Sequence, residues 1–159
     1  MDSRGQRKIK TSQYVVDASV VAKWVLPIEP YQENALKLKD DYVSKRAELY
    51  APAVLTIEVT NVLWKAVKLK RLSQEDAQEA LKTLGDINLG LHELDWAEAS
   101  QILNIGCKLD CAIYDSTYLF LANKIKAQFV TADNKLYEKS KGHFKVLHIK
   151  DYGTNVPSV

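Results

Sequence analysis

The chain has 159 residues, of which 47% are hydrophobic and 26% are charged, a composition typical of one soluble globular domain. Its formal net charge is +2, but residues 1–12 hold four of the 22 basic residues and one of the 20 acidic ones, so the remainder carries −1 and any nucleic-acid binding must depend on local patches or metal ions. No segment approaches the roughly 20 apolar residues of a membrane span, and the basic N-terminus lacks the apolar stretch of a secretory signal, so we expect a cytoplasmic protein.

Strands and helices alternate in the first half of the chain. The predicted elements there are a strand at 13–17, a helix at 19–26, a helix at 31–48, an extended segment at 49–51 and a helix that begins with Pro52 in its first turn. The last of these helices has a clear apolar stripe, formed by Leu55, Val59, Val62, Ala66 and Leu69.

The same alternation continues in the second half. The predicted elements are a helix from Ser73 to about residue 84, a break at 85–90, a strand at 91–94, helices at 96–108 and 111–126, the strand "AQFVTAD", a short helix after Asp133 and a strand at 144–149. Asp95 and Asp110 are the expected caps of the two longer helices. We therefore predict an α/β fold around a mainly parallel sheet, with a single domain at 13–150, a flexible basic tail at 1–12 and a C-terminal tail at 151–159.

Two aspartates directly follow predicted strands. Asp17 follows "YVV" and Asp133 follows "FVTA". Ligands of open parallel sheets bind outside the carboxyl ends of the strands, so both side chains are candidates for a functional site. Each alone is also explained as a helix cap or turn residue.

Two further acids lie within predicted helices. Asp115, in "CAIYDSTYLFLA", is a full turn beyond the cap expected at Asp110, so capping does not explain it, and pairing with a lysine is the alternative. Glu58 flanks the apolar stripe of its helix with Asn61 one turn further on, and the alternative for it is an ordinary solvated helix face.

Four carboxylates at one sheet edge would repel each other unless cations neutralised them. Oxygen ligands without His or Cys suit Mg²⁺ or Mn²⁺, and such a site fits metal-assisted hydrolysis of a phosphodiester. Neither the three scattered histidines nor Cys107 and Cys111 complete a zinc set, and we expect the two thiols to be reduced.

Four segments in order resemble the PIN domain, specifically the VapC-type toxin ribonucleases: "YVVDASVVAKWVLP", "APAVLTIEVTNVLWKA", "AIYDSTYLFLA" and "FVTADNKLY". The resemblance implies a three-layer α/β/α sandwich with a five-stranded parallel sheet. It places the family's acidic, metal-binding and catalytic site on Asp17, Glu58, Asp115 and Asp133. Ser19, Asn61 and Thr131 match supporting positions of the family.

The resemblance also implies a function and partners. We expect a Mg²⁺- or Mn²⁺-dependent endoribonuclease that cuts RNA, acts as the toxin of a toxin–antitoxin pair, forms a homodimer and is blocked by a small VapB-like antitoxin. Trp24 and Trp64 are candidates for a partner surface, with core packing as the alternative for each.

Two other classes of α/β protein fit the sequence less well. Haloacid-dehalogenase-like enzymes carry a second Asp two residues after the first, but Ser19 stands at that position here. The acidic pair of a response-regulator receiver is also missing. A PIN-fold nuclease outside any toxin pair, or a PIN-fold binding module without catalysis, are the remaining alternatives.

Overall fold

The computed structural model describes residues 11–154, so residues 1–10 of the predicted basic tail and the last five residues of the predicted C-terminal tail lie outside it. All strand pairs in the described residues are parallel, and the strand order is β3-β2-β1-β4-β5. The strands are β1 (Ser12–Val16), β2 (Ala47–Pro52), β3 (Gly90–His92), β4 (Gln128–Thr131) and β5 (Val146–His148).

Seven α-helices connect or follow these strands in the described part of the chain. They are α1 (Ala18–Val21), α2 (Gln32–Val43), α3 (Leu55–Lys68), α4 (Gln74–Ile87), α5 (Trp96–Leu109), α6 (Ile113–Ile125) and α7 (Asn134–Ser140). Short 3₁₀ turns follow α1 at Ala22–Trp24 and β5 at Ile149–Asp151.

The two central strands are covered on both faces. Successive residues of a strand point to opposite faces, yet Val15 and Val16 of β1 and Phe129 and Val130 of β4 are all completely buried. Helices therefore lie on both sides of the sheet, and the predicted three-layer α/β fold with five parallel strands is confirmed.

The strand order also shows where a site can form. From β1 the chain goes to β2 and β3 on one side, and β4 and β5 then add to the other side of β1. The order reverses between β1 and β4, and such a switch point leaves a crevice at the carboxyl ends of the strands. Asp17 and Asp133 follow these two strands.

The predicted boundary between α2 and β2 was wrong. The helix ends at Val43 and not near residue 48, because Lys45 takes a left-handed conformation (φ 62°) and the Arg46 N–H donates to the Asp41 carbonyl at 2.7 Å. Residues 47–52 then pair with β1 or β3, so Pro52 ends a strand and does not begin a helix. The pairing of residues 47–52 with distant strands set this boundary, although the local sequence pattern favoured a longer helix.

Two other helices also differ from the prediction. Helix α4 continues through Gly85 to Ile87, where Asn88 ends it in a left-handed conformation. The buried stripe of α3 is Leu55, Val59, Leu63 and Ala66. Leu69 lies beyond the end of α3 and is 69% exposed, so it belongs to the surface.

Candidate active site

Asp17 is a buried carboxylate at the end of β1. It caps α1, and its Oδ1 accepts hydrogen bonds from the Ser19 hydroxyl at 2.5 Å and the Val20 N–H at 3.3 Å. Its Oδ2 accepts from the Thr131 hydroxyl at 2.6 Å. Burial raises the pKa of Asp17 from the ordinary 3.8 to about 7, although the bonds from Ser19 and Thr131 oppose this rise. Asp17 is therefore a cap, as the local pattern allowed, and also a carboxylate held at high energy when charged.

Ser19 and Thr131 tie Asp17 to the loop that carries Asp133. The Ala132 N–H donates to Ser19 Oγ at 2.9 Å, and the Asp133 N–H donates to Thr131 Oγ1 at 3.0 Å. The two hydroxyls therefore bridge the carboxyl ends of β1 and β4 and fix the position of the first acid relative to the last.

Asp133 is exposed and caps α7. Its Oδ1 accepts from the Leu136 N–H at 3.0 Å, so the capping interpretation holds for this residue too. Because only one oxygen is committed to the cap, the other is available to a ligand.

Glu58 lies half-buried in the first turn of α3. Its Oε1 accepts a hydrogen bond from the Tyr118 hydroxyl of α6 at 2.6 Å. Burial raises the pKa of Glu58, and the bond from Tyr118 lowers it. Tyr118 is itself buried, and its own pKa is raised by that burial, so it is a hydroxyl donor near neutral pH.

The environment of Asp115 differs from the predicted one. Asp110 does not cap α6: it ends α5 in a left-handed conformation (φ 51°), and α6 begins at Ile113. Asp115 is consequently in the first turn of α6, where helix N–H groups favour a carboxylate. Burial and the nearby charges of Asp133 and Glu58 nevertheless raise the pKa of Asp115 to about 6, against the opposing charge of Lys139.

These charges couple all four predicted acids. Asp115 raises the pKa of Asp17, and Asp133 and Glu58 raise the pKa of Asp115. Within residues 11–154, no lysine or arginine forms an ion pair with any of the four. The edge of the sheet is therefore a site of unneutralised negative charge.

A cavity of about 400 Å³ opens beside these acids. Asp115 and Asp133 lie on its wall, and so do two lysines of α7, Lys135 and Lys139. The remaining lining residues are Asp110, Cys111, Ala112 and Leu136.

The family model for the PIN domain matches residues 14–142, which span the whole acidic edge. The chain belongs to the PIN-domain family. Ribonuclease VapC3 of Pyrobaculum aerophilum is 32% identical over 126 residues, which are 79% of this chain and 92% of that protein. Exonuclease VapC9 of the same organism is 28% identical over 135 residues, 84% of this chain and 90% of that protein.

The PIN fold is also found among solved structures. VapC20 of Mycobacterium tuberculosis, a toxin that cleaves the sarcin–ricin loop, superposes with a TM-score of 0.62 at 16% sequence identity. The superposition covers 82% of this chain and 95% of VapC20. At that identity the likeness concerns the fold.

The donor chemistry of this PIN domain fits a hard divalent cation, because all four acidic side chains offer oxygen and two have strongly raised pKa values that a cation would lower. In the described residues, however, no three Asp, Glu, His or Cys side chains are close enough to hold an ion together. Mg²⁺ usually keeps several waters and is held by one or two carboxylates, so the four acids fit that mode of binding and not a closed protein cage.

Three residues of the site were missed by the sequence analysis. Tyr118 lies in the apolar segment around Asp115 but was not singled out there, and neither were Lys135 and Lys139. The spacing of the two lysines, four residues apart immediately after Asp133, was the available signal, since it places both on one helix face beside that acid.

The remaining candidates have simpler positions. Asn61 is exposed on α3 one turn beyond Glu58, and its supporting role stays a prediction. Cys107 and Cys111 are free thiols. Trp24 is 7% exposed and its Nε1 donates to the Ala35 carbonyl at 2.8 Å, so core packing and not a partner surface explains it.

Trp64 differs from Trp24. It is 55% exposed, and the Lys68 ammonium lies 5.2 Å from the centre of its ring. A partner surface at Trp64 stays a prediction. Among the residues described, none of the helices has the length and apolar character needed to cross a bilayer.

Proposed function

We propose that this PIN domain is a divalent-metal-dependent endoribonuclease and the toxin of a VapBC-type pair. The observation that carries the proposal is the buried carboxylate Asp17, which has no ion-pair partner within residues 11–154 and is coupled to the charge of Asp115 at the switch point of the sheet. The 32% identity to a ribonuclease over most of both chains supports the same chemistry.

Asp17, Glu58, Asp115 and Asp133 would hold Mg²⁺ or Mn²⁺. When bound, the ion supplies positive charge to the scissile phosphate and lowers the pKa of an attacking water. No protein nucleophile is needed, and the products would be a 3′-hydroxyl and a 5′-phosphate.

The chain's own residues position the acids for this task. Ser19 and Thr131 each donate to a different oxygen of Asp17, which fixes the plane of its carboxylate. Tyr118 donates to one oxygen of Glu58, and no side chain or backbone group of residues 11–154 donates to the other. Asp115 stays ionisable at the start of α6, where the helix dipole favours its negative charge.

Cleavage requires a direct test with RNA of two topologies. The protein is incubated with Mg²⁺ or Mn²⁺ and either a circular RNA or the same RNA linearised. We expect the circle to be opened and both Asp17→Asn and Asp115→Asn to abolish cutting, whereas Asp40→Asn on the exposed face of α2 retains it. An intact circle and an intact linear RNA would favour the alternative of a non-catalytic binding module.

The relative named an exonuclease supports a second candidate, an exonuclease with the same acidic site. The same experiment separates the two, because an exonuclease shortens the linear RNA from an end and leaves the circle uncut.

The partner proposal rests on the VapC relatives and is tested in cells. A small antitoxin and a homodimer are expected, and the reaction would take place in the cytoplasm, where RNA is available. Expression of the wild-type chain should arrest growth, Asp115→Asn should not, and co-expression of an adjacent gene that encodes a small antitoxin-like protein should restore growth. Cleavage without arrest or rescue would favour a processing nuclease outside any toxin pair.

A further inference from the structure

A second charged feature lies in the cavity beside the acids. Lys135 and Lys139 are four residues apart on α7, so their side chains leave the same helix face about 6 Å apart along its axis. Both line the cavity that also contains Asp115 and Asp133.

Some lysines of the described residues form ion pairs, but Lys135 and Lys139 do not. Lys23, Lys37, Lys124 and Lys141 each lie within 4.0 Å of a carboxylate oxygen. Within the described residues, neither Lys135 nor Lys139 has such a partner, although acids line the same cavity.

The contacts of Lys139 show where its charge is directed. Its ammonium donates to the backbone carbonyl of Asp110, which also lines the cavity, and its charge opposes the rise in the pKa of Asp115. Lys139 is therefore close enough to the acidic edge to influence it without neutralising it. Lys135 is exposed one turn nearer to Asp133.

We propose that Lys135 and Lys139 form a phosphate-binding subsite that holds the RNA strand beside the scissile bond. A divalent ion held by the acids would meet the scissile phosphate only, and the neighbouring phosphates of a polyanion favour cations beside the acidic site. Two ammonium groups one helical turn apart fit neighbouring phosphates of one strand. This inference rests on the proposed function, because it assigns the substrate contact of that same site.

The test uses the full chain and measures binding separately from cleavage. In the inactive Asp17→Asn background, the affinity for a fluorescein-labelled single-stranded RNA is measured over a series of salt concentrations, with and without Lys135→Gln and Lys139→Gln. We expect the two substitutions together to weaken RNA binding by about tenfold. They should also reduce the slope of log affinity against log salt by about 1.4, since each lost phosphate contact removes about 0.7.

A matched control removes the same charge elsewhere. Lys82→Gln with Lys145→Gln, both exposed and outside the cavity, should change the slope little. In the active protein, Lys135→Gln with Lys139→Gln should raise KM with a smaller change in kcat. Lys135→Arg with Lys139→Arg keeps both charges and should therefore retain the wild-type affinity and salt slope.

Three results overturn the subsite. The first is an unchanged slope of log affinity against log salt in the Lys135→Gln, Lys139→Gln variant, and the second is an equal effect of the Lys82→Gln, Lys145→Gln control. The third is unchanged RNA affinity in the Lys135→Gln, Lys139→Gln variant together with a loss of affinity for a protein partner. If the wild-type chain neither binds nor cuts RNA with Mg²⁺ or Mn²⁺, the proposed function fails first, and the two failures are thus distinguishable.

Discussion

The Tyr118 hydroxyl donates to Glu58 Oε1 at 2.6 Å and so joins the helix that carries Asp115 to the helix that carries Glu58. The Tyr118 ring is buried and packs against Phe129 of β4, with ring centres 6.0 Å apart. The position of this hydroxyl is therefore set by the core, and the core in turn holds one oxygen of Glu58 in place.

Tyr118→Phe keeps the buried ring and removes only this hydrogen bond. We expect kcat/KM to fall about tenfold and stability to fall by about 1 kcal/mol, because a half-buried carboxylate loses its donor. Cleavage kinetics and urea unfolding measure the two effects. Tyr152→Phe is the matched control, since the Tyr152 hydroxyl donates to Asp41 at 2.6 Å and this pair lies outside the acidic site. The control substitution should lower stability without lowering activity. Equal activity loss in both variants would contradict a local role.

Asp17→Asn should make stability less dependent on pH in metal-free buffer. The folded protein binds a proton at Asp17 up to about pH 7, whereas the unfolded chain releases it near the ordinary 3.8. The stability that this proton contributes is full below about pH 4 and is lost as pH rises through 7. A pKa raised from 3.8 to about 7 corresponds to roughly 4 kcal/mol, so at about pH 8 the variant should be more stable than wild type by up to about 4 kcal/mol, with little difference near pH 4.

Urea unfolding in EDTA at both pH values measures this difference. Asp40→Asn, on the exposed face of α2, should behave like wild type at each pH. A variant that is equally destabilised at both would show that Asp17 is only a structural cap.

Divalent ions should stabilise the folded protein. A ligand at 100 times its Kd adds about 2.7 kcal/mol to the free energy of unfolding, so Tm should rise with Mn²⁺ or Mg²⁺ concentration. The rise should be smaller in Asp17→Asn and Asp115→Asn and unchanged in Asp40→Asn. Calorimetric scans over an ion titration provide the measurement, and an equal rise in all four proteins would place the ion elsewhere.

Thr131→Val should shift the pH dependence of cleavage. The substitution removes a donor to Asp17 Oδ2, and that hydrogen bond lowers the pKa of Asp17. Without this hydrogen bond the pKa of Asp17 rises further, so a higher pH is needed to ionise it. The acidic limb of the kcat/KM profile therefore shifts to higher pH. Profiles of kcat/KM against pH for wild type and variant test this, and a lower activity with an unmoved limb would indicate a purely structural role.

The buried face of α3 gives a test of the fold. Leu63→Ala should cost about 2–5 kcal/mol, because this side chain is completely enclosed, whereas Leu69→Ala should change stability by less than about 0.5 kcal/mol. Chemical unfolding of both variants measures the contrast. Equal losses would restore the predicted stripe that ended at Leu69.

Much of the architecture could be read from local pattern. The apolar strands before Asp17 and Asp133, the cap at Asp95 and the alternation of elements depend on a few neighbouring residues, and the structure contains each of them. The order of the four acidic segments was also readable from the sequence, and the PIN-domain family that it indicated is confirmed.

Other features depended on distant residues. Pro52 looked like a helix start until β2 paired with its neighbours, and Asp115 looked like a second-turn residue until Asp110 closed α5. In both cases the local signals were compatible with two boundaries, and tertiary contacts selected one.

The sequence by itself determined the kinds of elements, their order and the four acids that end or begin them, because propensity and hydrophobic period act over a few residues. Only the tertiary structure decided which groups surround those acids. It placed the Tyr118 hydroxyl on Glu58, the Ser19 and Thr131 hydroxyls on Asp17, and two lysines of α7 in the cavity beside Asp115. The pKa of a carboxylate depends on burial and on charges brought near it by the fold, and linear order does not specify those distances.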